Sequence, residues 1–229
     1  MGSNALVSMW PAAGVVARAG DLELRWMDDD LIVELAKLAV LGVHDPARMP
    51  FSNPWTRGTP DEIMRGMLAY QWQRRTAVAP QKFRLEYAVL VGDVVVGSQG
   101  CGADDWQVLR RAHTGSWLGR EFQGQGIGTR MRMLMLQLLF DGLGAVEATS
   151  TAFADNPASN AVSRRVGYLD GGSEVVAREG APATRNRFRM PRERWLEVRA
   201  DHATRLGAPV VLEGTASLRE QLDELANPS

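Results

Sequence analysis

The segment that most limits what this chain can become is Gln123-Gly124-Gln125-Gly126-Ile127-Gly128. Glycines at alternate positions strip the β-carbons from one short stretch, so successive backbone N–H groups can close around an anion. The run Thr114–Leu118 before it reads as a strand. The run Thr129–Phe140 after it holds no Gly or Pro and is rich in Met and Leu, which predicts a largely buried helix. A helix starting at such a turn adds its unsatisfied N–H groups and the positive end of its dipole. Strand, glycine turn and helix together predict an α/β fold that binds a phosphate at the carboxyl end of a strand.

The flanking segments extend this unit. Leu22–Trp26 alternates as a first strand, and Asp28-Asp29-Asp30 opens a helix from about Leu31 to Val40. Residues 43–59 carry three prolines and form a long irregular loop, a kind of segment that often serves function. Thr59-Pro60 starts a second helix that runs to about Arg75. Phe83–Val91 and Val94–Gly100 make a hairpin around Gly92-Asp93. After the central helix come a strand over Ala145–Thr151, a helix from Asn156-Pro157 to Val166, and a strand pair near Glu174–Ala177 and Arg185–Met190. The expected architecture is α/β (α+β layered), a mixed and mostly antiparallel central sheet flanked by helices. The expected organisation is an N-terminal arm over 1–20, a domain over 21–191 and a C-terminal helical extension over 192–229, whose last helix spans Ser217–Ala226.

Composition narrows the function classes. The formal net charge of −1 gives no global reason to expect a nucleic-acid partner. No apolar run approaches the roughly 20 residues of a membrane span, so no membrane partner is expected. Cys101 is the one cysteine, and His44, His113 and His202 lie far apart, so no metal site is expected. A lone thiol suits a reducing, cytoplasmic setting.

Two phosphate-binding patterns fail here. The phosphate-binding lysine loop needs Gly-Lys-Ser/Thr, which is absent, and the dinucleotide fingerprint meets Thr129 where its third glycine belongs. The pattern that fits is Gln-x-x-Gly-x-Gly, Gln123 to Gly128. About 30 residues on, after one strand, stands Asn156-Pro157-Ala158-Ser159-Asn160-Ala161-Val162-Ser163-Arg164-Arg165-Val166-Gly167-Tyr168, and Gly115-Ser116-Trp117-Leu118-Gly119 precedes the turn. These three segments resemble the GNAT superfamily of N-acyltransferases, in its RimJ/RimL-like branch of ribosomal-protein N-terminal acetyltransferases. The resemblance covers residues 21 to 191.

The resemblance implies a V-shaped splay between the strands before and after the central helix. It implies acyl-coenzyme A as co-substrate, acetyl-CoA or succinyl-CoA, and a primary amine acceptor, a protein N-terminus or a small molecule. Trp117 and Leu118 would meet the pantetheine arm. Gln123, Gly124, Gln125, Gly126, Ile127, Gly128, Thr129 and Arg130 would hold the pyrophosphate, and Asn156 the pantetheine amide. Many members carry a tyrosine acid seven residues after the Asn; here that position is Ser163, and Ser159 is the branch's alternative. Of Glu86, Glu147, Glu174 and Glu179, the resemblance puts Glu174 or Glu179 first as general base.

The acceptor site is expected from the long loop 43–59 and the second helix, with His44, Asp45, Met49, Phe51 and Trp55 as its wall. Arg84, Arg110 and Arg111 are candidates for an anionic acyl group or substrate. A homodimer is expected, supported by the amphipathic tail. The rival of another class is a coenzyme A-binding regulatory protein without catalysis.

Overall fold

The computed structural model describes residues 4–224. In chain order the elements are α1 (Asn4–Met9), β1 (Val16–Ala19), β2 (Leu22–Trp26), α2 (Asp29–Leu41), α3 (Pro60–Arg75), β3 (Phe83–Val91), β4 (Val94–Ala103), α4 (Trp106–Leu109), β5 (Arg111–Leu118), α5 (Ile127–Gln137), β6 (Glu147–Phe153), α6 (Pro157–Arg165), β7 (Leu169–Arg178), β8 (Ala181–Pro191), α7 (Arg192–Leu206), β9 (Val210–Glu213) and α8 (Thr215–Asp223). The strands form one sheet in the order β7-β8-β6-β5-β4-β3-β2-β1-β9. Every neighbouring pair is antiparallel except β5–β6.

Local chemistry accounts for the helix starts. The Asp28 side chain accepts from the Leu31 N–H and caps α2. Thr59 and Glu62 form a reciprocal capping box on α3. Asn156 accepts from the Ser159 N–H and caps α6. α5 is buried on almost every side, so polar residues cannot fill a solvent face on it. A π-helical turn, Leu138–Gly142, continues it.

Two cores lie on opposite faces of the sheet. The larger gathers Leu24, Tyr87, Val89 and Ala112 with the Met and Leu side chains of α5. The smaller sits under α2 and α3 and includes Ile32, Leu35, Met67, Ala88 and Leu90.

The expected central architecture is present, splay included. β5 and β6 pair only from Arg111↔Glu147 to Thr114↔Ser150. Beyond that point β5 stays with β4 as far as Leu118, and β6 stays with β8 as far as Phe153. The two strands therefore part like a V, each arm held by its outer neighbour.

The chain ends depart from the expected arm and helical extension. β1 pairs with β2, and Val15, Ala17 and Ala19 are fully buried. β9 then pairs with β1 and becomes the sheet edge. In α7, Trp195 stacks on Phe140 at 5.2 Å, with ring planes 8° apart. A strand of four residues, Val16–Ala19, is too short to show a clear alternation, and its one polar side chain, Arg18, stays partly exposed in a pair with Glu213. The expected last helix is α8; residues 225 and 226 lie outside the described residues.

Candidate active site

Where β5 and β6 part, a cleft of about 360 Å³ opens. One wall is the end of β5, with Ser116, Trp117 and Leu118. The far wall is the face of α6 formed by Ala158, Ala161, Val162 and Arg165, which recur at helical spacing. The glycine turn and Thr129 close one end, and Val43, His44, Pro50 and Phe51 approach from the long loop.

The glycine turn has the backbone its sequence requires. Gly124 and Gly126 take φ of 75° and 82°, the left-handed region that side chains resist. A Cβ at either position would meet nothing within 4 Å, so the concave side of the turn is open. The N–H groups of residues 124–128 make no turn or cap hydrogen bond among the described residues. Free donors at the start of α5 form a cradle for a multiply charged anion.

Other expected residues play different parts. Gln123 donates to the carbonyls of Val43 (2.8 Å) and Leu118 (2.9 Å), pinning the loop to the end of β5. Gln125 folds back onto the Glu121 carbonyl, and Ile127 packs into the larger core. Arg130, expected on the pyrophosphate, pairs with Asp21 and holds that carboxyl below its usual range. None of these last three lines the cleft. Arg165, which sequence reading passed over, does line it; its signal was its place one helical face on from Ala158 and Val162.

Asn156 and Ser159 both reach the cleft. The Asn156 side chain is already engaged as the α6 cap, at 3.1 Å from the Ser159 nitrogen. Ser163, at the position of the tyrosine acid, is fully buried and its hydroxyl has no hydrogen-bond partner among the described residues. It can supply no proton to the cleft.

The long loop straps across both arms of the V. A chain of rings runs from His44 to Phe51 (5.7 Å), Trp55 (5.2 Å) and Trp117 (5.4 Å). Trp55 thus supports the wall from behind Trp117 and does not line the cleft. His44 is held at both ring nitrogens, by the Asp45 carbonyl and the Thr56 hydroxyl, each at 2.7 Å. On the other arm Arg57 pairs with Glu179, Arg178 donates to the Met49 carbonyl, and Arg185 donates to the Ser52 hydroxyl.

Those contacts engage both carboxylates expected to act as base. Glu179 stands at the turn between β7 and β8, where Arg57 holds its carboxyl below the usual range. Glu174 accepts two hydrogen bonds from Arg185 (3.1 and 2.9 Å). Neither lines the cleft. Glu147 lies between Arg111 and Arg189. Glu86 differs. Burial pushes its carboxyl up to about 7, against the hydrogen bond from Tyr70 (3.0 Å), the charge of Arg74 and the Ser98 hydroxyl. It lies directly over Gly100, where a Cβ would collide with both oxygens. Next in that row is Gly115, at the start of the splay, with open space above it.

The arginines expected to meet an anionic group are engaged elsewhere. Arg84 pairs with Asp104, Arg110 with Asp223 and Arg111 with Glu147. Among the described residues no group of three or more His, Cys, Asp or Glu side chains is placed to hold a metal ion. Among them, too, no helix is long and apolar enough to cross a membrane.

Comparison with known proteins agrees with this geometry. The chain is similar to a Bacillus subtilis (strain 168) protein, YdaF, provisionally named a ribosomal N-acetyltransferase: 35% identity over 74 residues, 32% of this chain and 39% of YdaF. The chain thus matches well under half of that relative's length. Among solved structures it resembles Mycobacterium smegmatis RimJ in complex with CoA-disulfide (TM-score 0.66, 16% identity, 86% of this chain and 97% of that one). It also resembles RimL, the ribosomal L7/L12 alpha-N-protein acetyltransferase, in complex with coenzyme A (TM-score 0.60, 20% identity, 75% and 94%). At such identities these likenesses speak for the fold. The acetyltransferase (GNAT) domain family matches residues 21–169, most of the chain, and the protein belongs to that family.

Proposed function

We propose that the protein transfers an acetyl group from acetyl-coenzyme A to a primary amine, with a protein N-terminus as the favoured acceptor. The observation that carries this reading is the junction of two features. The V between β5 and β6 leaves two backbone edges unpaired, and its mouth opens on a turn of free N–H groups at the start of α5. An extended arm with a pyrophosphate at one end suits both at once. The acceptor class draws on RimL, whose own description names an alpha-N-protein acetyltransferase.

In this reading the neutral amine attacks the thioester carbon directly. The Ser159 hydroxyl donates a hydrogen bond to the departing thiolate; Asn156 caps the helix that presents it. Glu86, raised to about 7, accepts the amine proton through water above Gly115. A carboxyl tuned to that range is half ionised near neutral pH, which suits a base. The aromatic strap, with His44 and Phe51 on the cleft, shields the reacting atoms from bulk water.

The test is calorimetric binding of coenzyme A, followed by thiol release from acetyl-CoA with a panel of amines that includes peptides with free N-termini. Micromolar binding and peptide-dependent thiol release support the proposal. Binding without turnover on any amine assigns a regulatory coenzyme A-binding role instead, and absence of binding overturns the cleft assignment.

A further inference from the structure

α5 buries one charged side chain, Arg132, which is 3% exposed among Met and Leu neighbours. Its guanidinium donates to the hydroxyls of Ser150 (2.8 Å) and Ser116 (3.0 Å) and, at 3.4 Å, to the Gln99 side-chain oxygen. The Gln99 amide in turn donates to the carbonyls of Gly115 (3.0 Å) and Gly100 (3.1 Å). All three acceptors of the guanidinium are neutral, and no carboxylate among the described residues pairs with it. A desolvated charge held by neutral groups is costly, and an apolar side chain of similar volume fills such a space as well or better. Core stability therefore does not account for an arginine here.

Its acceptors lie on three strands, around the point where the sheet forks. Thr114↔Ser150 is the last pair between β5 and β6. Ser150 thus belongs to the closed part of the ladder. Ser116 lies two residues past the fork on β5, where it is paired with Gln99 of β4. Continued zipping of the two strands would bring Ser116 opposite Ala152 and fill the V with ladder hydrogen bonds; fraying of the four existing pairs would widen it. Arg132 grips Ser150 with one terminal nitrogen and Ser116 with the other. The planar guanidinium fixes the directions of both bonds, so it resists closure and fraying alike. Paired strands lie about 4.8 Å apart, and an extended arm between two strands needs roughly twice that.

Resting on the coenzyme A reading above, we infer that Arg132 is a positioning residue, a brace from Ser116 to Ser150 that fixes where β5 and β6 part and keeps the groove at the width of one extended donor arm. It acts on the donor through the two strands it holds.

Calorimetric binding of unacylated coenzyme A tests this without acceptor or turnover. Ser150 is buried and does not line the cleft, so its hydroxyl reaches the donor only through Arg132. Ser150→Ala and Ser116→Ala are each expected to lower affinity about three- to tenfold, the worth of one hydrogen bond to a charged group. A brace released at one end no longer spans the fork, so the double variant should lose no more than the larger single loss. Arg132→Met should lose at least about tenfold, with either serine replacement adding less than about twofold to that. Arg132→Lys keeps the charge but not the planar fork, and should behave like Arg132→Met. In the ligand-free chain, amide exchange should rise by about tenfold or more in Arg132→Met at the β5–β6 hydrogen bonds within 111–114 and 147–150, relative to those of β2–β3. Serine losses that add, unchanged affinity in Ser150→Ala, or exchange that rises equally across the sheet overturn the inference. Rescue by Arg132→Lys also overturns it and makes Arg132 a counter-charge for the pyrophosphate. Should Arg132→Met not fold, the two serines and their double variant decide alone. A parent chain that binds no coenzyme A overturns the cleft reading instead, and amide exchange then decides the brace by itself.

Discussion

Trp55 rests on Trp117 with ring centroids 5.4 Å apart and planes inclined by 49°. That contact couples the strap formed by residues 43–59 to the strand that walls the cleft. Trp55 also packs against the smaller core, beside Met67, Ala88 and Leu90. Trp55→Ala is expected to destabilise the protein by about 2 kcal/mol, below the cost at a fully buried aromatic. The same variant should raise the KM for the acceptor more than that for the donor. Urea unfolding and steady-state kinetics check the two parts separately.

Gly126 has φ of 82° and caps α5. Gly126→Ala forces a side chain into the left-handed region, at a cost of about 1–2 kcal/mol. Relief of that strain turns the N–H donors away from the cradle. Calorimetry should show coenzyme A affinity reduced by at least about tenfold. Gly128 has ordinary φ, and its Cβ would make plain van der Waals contact with Leu118 and Val162 at 3.7 Å. Gly128→Ala should therefore cost less affinity; equal losses would show that bulk, not backbone conformation, matters.

Glu86 links activity and stability to pH in opposite senses. Its folded-state carboxyl titrates at about 7, above the ordinary value of 4.5. Its stabilising contribution is therefore full below about 4.5 and is lost as pH rises through about 7. Glu86→Gln should be more stable than the parent at pH 8 by about 1–3 kcal/mol, with no advantage at pH 4. Turnover in the parent should rise with pH up to about 7 and then level. In Glu86→Gln it should fall by about 10- to 100-fold and lose that inflection. A variant that keeps the parent's pH profile shows that another group takes the proton.

Ser159→Ala removes a hydroxyl and leaves the Asn156 cap on the backbone intact. Turnover should drop by about tenfold, the worth of one hydrogen bond to a developing charge. Coenzyme A affinity should change less than twofold. A matched fall in both would make Ser159 a donor contact, and no fall in either a structural residue.

Trp195 is fully buried against Phe140 although it belongs to α7. Trp195→Ala should cost about 3–5 kcal/mol, as for a core aromatic. A single cooperative transition shifted by that amount in urea indicates that the C-terminal segment folds with the sheet. A separate early transition would indicate that it folds apart.

Much of the fold was legible because its signals are local. The Asp28, Thr59 and Asn156 caps announce helices within a few residues, and the glycine turn announces the start of α5. β1 and β9 were not legible. β1 is four residues long and carries no clear alternation, although it pairs with the adjacent β2, and β9 is defined by a partner almost the whole chain away, Leu212 with Ala17 for example. In the cleft, positions tied to backbone geometry were readable, as at Gly124 and Gly126. Arginines and carboxylates were not, because their pairing depends on side-chain reach across the fold. Arg130 turned to Asp21, Glu179 to Arg57, and Arg132 was hidden among apolar neighbours on a helix that reads as core.

Four residue pairs between β5 and β6 are all that join the two wings of the sheet edge to edge. Past Thr114 and Ser150 the sheet is an unfinished seam, and an extended donor lying in it would serve as a temporary stitch. The amides that face the seam, alternate ones along 115–118 and 151–153, then become reporters of occupancy: fast to exchange when the donor has left, slow when it is in place. Fold stability follows donor concentration by mass action, so each turnover would unpick and resew part of the protein's own architecture.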